Sequence, residues 1–250
     1  MPSAAWVSFI NKIEKVREAL FARNGQLWYR GQSSSDWQIL PWIFRESVRE
    51  QALRYEEGIF SEFELKATRH LAGLSSSWDM LAAMQHYGVP TRLLDWTDRL
   101  AVAVFFALRH RGEGPCRIIM LNPYLASQKC LRAGGKGGFI CDLGDPPFVD
   151  HDYRQIFLGK REWPVDLAVP VVCRWMIDRE ERQAGFFTFH GGAESPIDAQ
   201  YPNFVGVVDL DPDAFPDAEN YLQDSGIDEF SVFGDLTALA MILRRRYLKI

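Results

Sequence analysis

The stretch LWYRGQSSSDWQILP, residues 27–41, places a charge where an apolar run ends. Leu27, Trp28 and Tyr29 read as a buried strand, yet it finishes on Arg30-Gly31, followed by Gln32 and three serines. A guanidinium at the lip of a core needs an anion, supplied by the protein or by a ligand. Gly31 permits a backbone approach that a Cβ would block, and Gln32 to Ser35 offer hydrogen bonds without negative charge. The expected partner of Arg30 is therefore a ligand phosphate or ribose. Asp36, the nearest acid downstream, is the alternative within the protein.

A second polar group sits in MQHYGVPTRLLDWTDRLAVAVFFA, 84–107, where Gln85, His86, Thr91, Arg92, Asp95, Thr97 and Asp98 adjoin a helix apolar enough to be central. Buried arginines and aspartates must be paired, so Asp95 and Trp96 are expected to be buried, with Asp95 bonded to backbone or to Arg92. His86, at a helix end, reads equally as a hydrogen-bonded structural histidine or as a ligand contact. A third group, DREERQAGFFTFHG at 178–191, leads a charged turn into a strand, and Gln183 stands at that strand's entrance. Glu180 and Glu181 read as a solvated turn. GGKGG at 134–138 lacks the Ser or Thr of a P-loop and reads as a flexible loop. No H-E-x-x-H, G-x-S-x-G or G-x-G-x-x-G occurs, which leaves a metal hydrolase, an α/β-hydrolase or a Rossmann dehydrogenase without support.

Positioning these residues requires a mixed set of elements. Trp6, Phe9, Ile10, Ile13, Val16 and Leu20 recur at helical spacing, predicting a helix over 4–22, and Gln26–Arg30 is the first strand. Residues 45–73 suggest one or two surface helices. The serines of 75–78 cap a helix through Tyr87, which Gly88-Val89-Pro90 stops. Thr91–Trp96 is a short extended segment, and Asp98 caps the apolar helix after it. Later strands are expected at 116–122, 167–175, 185–190 and 204–210, with a last helix over 235–248. The Gly-, Pro- and Asp-rich stretch 123–164 reads as irregular loops. Helices interrupt strands without βαβ alternation, so the class is α+β.

The chain has 250 residues, enough for one sizeable domain, and 28 Lys+Arg against 33 Asp+Glu give a net charge of −5. That balance opposes bulk nucleic-acid binding but allows a local basic groove. The four cysteines are widely spaced, without a zinc pattern, and read as reduced thiols. Neither a signal peptide nor an apolar run of about 20 residues is seen. The expectation is a cytoplasmic protein that does not engage membranes.

Tyr29-Arg30-Gly31, QHYGVPTRLLDWTDRLAVAVFFA, RQAGFFTFHG and LQDSGIDEFSVFGDLTALAMIL together resemble the FRG domain family, named for its Phe/Tyr-Arg-Gly signature. On this resemblance residues 1–250 form a single FRG domain. The arrangement is also similar, more weakly, to the ADP-ribosyltransferase superfamily, whose motifs are an aromatic-Arg/His-Gly strand end, a Ser/Thr-containing strand before a helix, and a Glu or Gln opening a late strand. That second likeness implies a pair of small sheets forming a cleft flanked by helices, with NAD as substrate. It implies catalytic roles for Arg30, Thr91 and Gln183, and NAD contacts from Arg30, Gly31, Gln32, His86, Tyr87 and Arg92. The acceptor would be a macromolecule, protein or nucleic acid, or NAD would be cleaved to release nicotinamide. Many active transferases have glutamate where Gln183 falls; a neutral amide hydrogen-bonds a ribose hydroxyl but puts no negative charge beside the developing cation, a part Glu180 or Glu181 could take. Two other readings stay open: a non-catalytic nucleotide-sensing or interaction module, and a hydrolase using His86 and Asp95.

Overall fold

The computed structural model describes residues 1–20, 26–71, 76–131, 140–143, 148, 151–159, 161–173 and 185–248. Helix α1 covers Ala4–Leu20 and buries Phe9, Ile13 and Leu20 on one face, as its periodicity predicts. Strand β1 is Trp28–Gln32, so the strand runs on through Arg30 and Gly31 instead of ending at them. Helices α2 (Arg49–Arg54) and α3 (Glu56–Ala67) fill the span expected to hold surface helices. Helix α4 (Ser77–His86) begins at a capping box in which the Ser76 side chain accepts from the Asp79 amide and the Asp79 carboxylate accepts from the Ser76 amide.

Strand β2 (Leu93–Thr97) leads into α5 (Leu100–Arg109), whose first turn is held by the Thr97 hydroxyl accepting from Arg99 N, not by Asp98. Strand β3 follows at Cys116–Leu121. Next comes helix α6, Pro123–Cys130, where loops were expected. Its start signals are local: the Asn122 side chain accepts from Leu125 N, and Pro123 takes the first turn, where no amide is needed. Four strands complete the sheet: β4 (Cys141–Asp142), β5 (Val169–Val172), β6 (Gly185–Phe189) and β7 (Val205–Leu210). Three further helices, Phe215–Asp224, Glu229–Phe233 and Leu236–Leu243, close the chain. No described helix is long and apolar enough to cross a membrane.

The strands make one seven-stranded sheet in the order β4-β5-β6-β2-β1-β3-β7, mixed because only β4–β5 is parallel. The class is α+β, as expected, but the strands do not form two separate sheets. The physical reason lies between β1 and β2. These central neighbours meet in register only at Tyr29↔Thr97, whereas β1 pairs with β3 from Trp28↔Leu121 to Gln32↔Arg117. One shared residue pair keeps the sheet continuous while the two strands part beyond it.

Each half of the sheet has its own core. Phe9, Ile13, Val104, Ile118 and Val208 pack α1 and α5 on β1, β3 and β7. Phe60, Trp78, Leu93, Phe187 and Phe189 pack α3 and α4 on β2 and β6. Gly31 fixes how closely α5 lies on β1. A Cβ there would stand 1.9 Å from the Ala103 carbonyl oxygen and 2.6 Å from Ala107 N, so only glycine admits this contact. Gly31 was expected to give backbone access to a ligand; the close approach it makes to α5 is a separate reason for a glycine here.

Candidate functional site

Where β1 and β2 part, a pocket of about 770 Å³ opens. Arg30 to Ser33 form one wall and Leu93 to Thr97 the other, with Gln85 to Val89 at the end of α4 and Phe106 of α5 completing it. Trp37, Trp42 and Arg45, from the irregular segment after β1, reach its mouth. Both indoles are exposed, as is Tyr87, although large aromatic side chains usually seek cover.

Arg30 is the most deeply set charge in this pocket. Its Nη1 donates to the Asp95 carbonyl at 2.8 Å, so a side chain bonds β2 where the two strands no longer pair in register. The same nitrogen lies 3.7 Å from Asp95 Oδ2, with the Arg30 side chain 14% exposed and that of Asp95 55% exposed. Its Nε is buried without a partner among the described residues. Burial pulls the Arg30 guanidinium down to about 10; the Asp95 carboxylate opposes the shift and Arg45 adds to it. Arg45 is also lowered by burial, again with Asp95 opposing. Two guanidiniums thus face one shared, half-exposed carboxylate.

Asp95 corrects one expectation: it is exposed, whereas Trp96 beside it is buried, and its partners are Gln85 and Arg30 rather than Arg92. Leu94 and Trp96 enter the core on one face of β2, and Asp95 stands on the other, where the pocket opens beside it. The Arg30 expectation is corrected too. A protein carboxylate does lie within ion-pair distance, and it is Asp95 rather than Asp36.

Thr91 is buried and contributes indirectly. Its hydroxyl donates to Gln85 Oε1 at 2.5 Å, which leaves Gln85 Nε2 to donate to Asp95 Oδ2 at 2.8 Å. Gln32 is buried, its Nε2 donating to the Gln38 carbonyl at 3.2 Å and its Oε1 unpartnered among the described residues. His86 and Tyr87 line the pocket, their rings edge to face at 4.8 Å.

Arg92 faces away from this pocket into the neighbouring core. Its Nε and Nη2 donate to the two oxygens of Glu56 at 2.7 and 2.6 Å, and Nη1 donates to the Gly191 carbonyl at 2.5 Å. Tyr153 also donates to Glu56, at 2.5 Å. Between the two arginines lies His190, whose amide donates to the Arg92 carbonyl at 3.0 Å. Its Nε2 sits 3.1 Å from the Thr188 hydroxyl, which accepts from Trp96 Nε1. Burial pulls the imidazole down to about 3, and the charge of Arg30 adds to the shift. Gln183, Glu180 and Glu181 lie outside the described residues, as does GGKGG.

Residues 25–114 match the FRG domain family. That stretch, rather than the whole chain, carries the FRG match. The matched stretch contains both the Tyr29-Arg30-Gly31 and the QHYGVPTRLLDWT blocks, while RQAGFFTFHG and the closing segment lie beyond it. All the residues that line the pocket fall within the match except Phe233 and Asp235, so the pocket is built mainly by the FRG segment itself. No curated protein and no solved structure matches the chain.

Sequence reasoning missed Trp37, Trp42 and Arg45 as pocket residues. Their signal was present in DWQILPWIFRE, where two tryptophans flank a proline in a mostly apolar segment that has neither strand nor helix periodicity.

Proposed function

We propose that this pocket binds NAD and that the protein is an ADP-ribosyltransferase-like enzyme. The observation that carries the reading is the pair Arg30 and Arg45, set in a pocket whose mouth presents Trp37, Trp42 and Tyr87 as exposed rings. The burial that lowers both guanidiniums penalises their charge, and an arriving diphosphate offsets that penalty. Exposed aromatic faces stack nucleotide rings at about 1–3 kcal/mol per base. The volume also lies in the range of roughly 300–1,000 Å³ usual for small-molecule sites.

In this reading Arg30 and Arg45 hold the diphosphate, and the tryptophans and Tyr87 stack the adenine or nicotinamide ring. His86 and Gln32 supply polar contacts at opposite sides of the pocket. Thr91 acts by holding Gln85, and Arg92 acts by holding the wall. Catalysis rests on positioning around the ribose and requires no covalent nucleophile of the protein. Cleavage of the ribose–nicotinamide bond sends its electron pair to the nicotinamide nitrogen. A nucleophile of a protein or nucleic acid, or water, takes the ribose and gives up a proton. Gln183, outside the described residues, keeps the role that the superfamily resemblance implies for it.

The test is release of nicotinamide from NAD by the purified protein, with Arg30→Ala beside it. The wild type is expected to release nicotinamide, and Arg30→Ala to weaken NAD binding by about 1.5–3 kcal/mol. A melting shift with NAD but no nicotinamide release, with or without added acceptor, identifies a sensing module instead. Absence of both shift and release overturns the reading.

A further inference from the structure

We infer that Asp95 is the acceptor for a ribose diol in this pocket, an inference that rests on the nucleotide reading above and assigns its sugar contact. The pocket has two described carboxylates, Asp95 and Asp235. Asp235 is occupied as a helix cap, accepting from Ala238 N at 2.7 Å. Asp95 is differently placed. Both of its contacts fall on one oxygen: Oδ2 accepts from Gln85 at 2.8 Å and lies 3.7 Å from Arg30. Oδ1 has no hydrogen bond among the described residues, and the side chain is 55% exposed in the centre of a strand whose other four residues are buried.

The surroundings fix this carboxylate before any ligand arrives. Thr91 donates to Gln85 Oε1, so the Gln85 amide can present only its NH₂ to Asp95. Arg30 donates to the Asp95 main-chain carbonyl and so ties the strand at the same residue. A preset carboxylate with one open oxygen accepts hydroxyl hydrogens and offers nothing to a phosphate. Vicinal ribose hydroxyls are the nucleotide groups that need such an acceptor, and carboxylates serve ribose hydroxyls in other nucleotide sites. Arg30 and Arg45, immediately beside it, suit the adjoining diphosphate. The juxtaposition spells out a sugar next to a phosphate.

Two ligands separate these roles: ADP-ribose, which carries both groups, and inorganic pyrophosphate, which carries no ribose. Asp95→Asn is expected to weaken ADP-ribose by about tenfold, the loss of one charge-assisted hydrogen bond. The same substitution should tighten pyrophosphate, because a negative charge leaves the neighbourhood of two arginines. Asp95→Ala should repeat both signs, and the melting temperature of each unliganded variant checks that the fold is kept. Equal weakening of both ligands shows that Asp95 only positions Arg30 and overturns the assignment; so does an unchanged affinity for ADP-ribose. Weakened ADP-ribose binding in a protein that releases no nicotinamide supports Asp95 while overturning turnover. A wild type that binds pyrophosphate but not ADP-ribose overturns this inference together with the nucleotide reading.

Discussion

Arg30 and Arg92 belong to the same sheet and face opposite situations. Arg92 is saturated: Glu56 takes two of its nitrogens, the Gly191 carbonyl takes the third, and the Phe44 and Phe157 rings lie 5.4 and 4.6 Å from the guanidinium. Arg30 has one backbone carbonyl, a carboxylate at 3.7 Å and a buried Nε without a partner among the described residues. The effect on the guanidinium differs accordingly. At Arg92 the bonds and charge of Glu56 more than offset burial and raise the group, whereas at Arg30 burial prevails and lowers it. A structural arginine brings its own anion into the core. One kept for a ligand is held short of full satisfaction at the edge of a cavity. On the proposed reading, the arginine of Tyr29-Arg30-Gly31 is of the second kind, whereas Arg92, with its nitrogens taken by Glu56 and Gly191, is of the first.

The comparison breaks most sharply at Glu56. Glu56→Ala strands Arg92 in a cluster whose side chains are about one-tenth exposed, and it removes the acceptor of Tyr153 as well. The expected loss is about 3–5 kcal/mol of unfolding free energy in urea titration, the usual result of leaving a buried charge unpaired. The matching change at the other site, Arg30→Met, strands no buried carboxylate because Asp95 is 55% exposed. It should leave stability within about 1 kcal/mol of wild type. Similar losses for the two variants would erase the distinction.

Gly31 comes next, since it sets how closely α5 lies on β1 beside the open site. Gly31→Ala drives a methyl group into the α5 backbone at Ala103, and backbone gives way less readily than a flexible side chain. A loss of about 1–3 kcal/mol is expected, as for other overpacked positions. Because β1 and α5 both line the pocket, ligand binding should fall with it. A Gly31→Ala protein of wild-type stability would mean that the glycine serves the ligand after all.

Much of this was legible in the residues. The helix of 4–20, the seam of short strands and the Ser76 cap follow from periodicity and local hydrogen bonding, which depend on near neighbours alone. Arg30 also stood out, because a charge closing an apolar run calls for a partner. What could not be read was which partner each charge finds. Glu56 is 36 residues from Arg92 and Asp95 is 65 from Arg30, and no local rule connects them. The single register pair between β1 and β2 was equally hidden, since pairing between strands distant in sequence follows no local rule. Helix α6 was missed for another reason: the composition of 123–164 masked the Asn122-Pro123 start signal.

His190 lies between the two arginines and tests how tightly that border is sealed. Its folded pKa of about 3 lies below the usual value of 6.5. Between these values the unfolded chain takes up a proton that the folded chain refuses, so stability falls as pH drops through 6.5. The slope approaches about 1.4 kcal/mol per pH unit. His190→Gln keeps an acceptor for Thr188 and removes the titration. Relative to this variant, wild type should lose roughly 1–2 kcal/mol between pH 6.5 and 5 in parallel denaturant titrations. Equal pH dependence would show that water reaches the ring and that the border is open.

The smallest effect is expected at Asp95, and its smallness is the point. Were Asp95 a buried ion-pair partner like Glu56, Asp95→Ala would cost several kcal/mol through the charge left behind. Its side chain is instead 55% exposed, its distance to Arg30 is 3.7 Å, and Arg30 keeps its bond to the Asp95 carbonyl whatever side chain stands there. Exposed pairs contribute at most about 1 kcal/mol. Gln85 remains tied to Thr91 in the variant, so the amide that faced the carboxylate stays in place at the edge of the pocket, within reach of solvent. A double-mutant cycle of Asp95→Ala with Arg30→Met should therefore return a coupling energy of about 1 kcal/mol or less. The cycle of Glu56→Ala with Arg92→Met should return at least twice that. Equal couplings would place both arginines in one structural class and remove Arg30 from the candidate site.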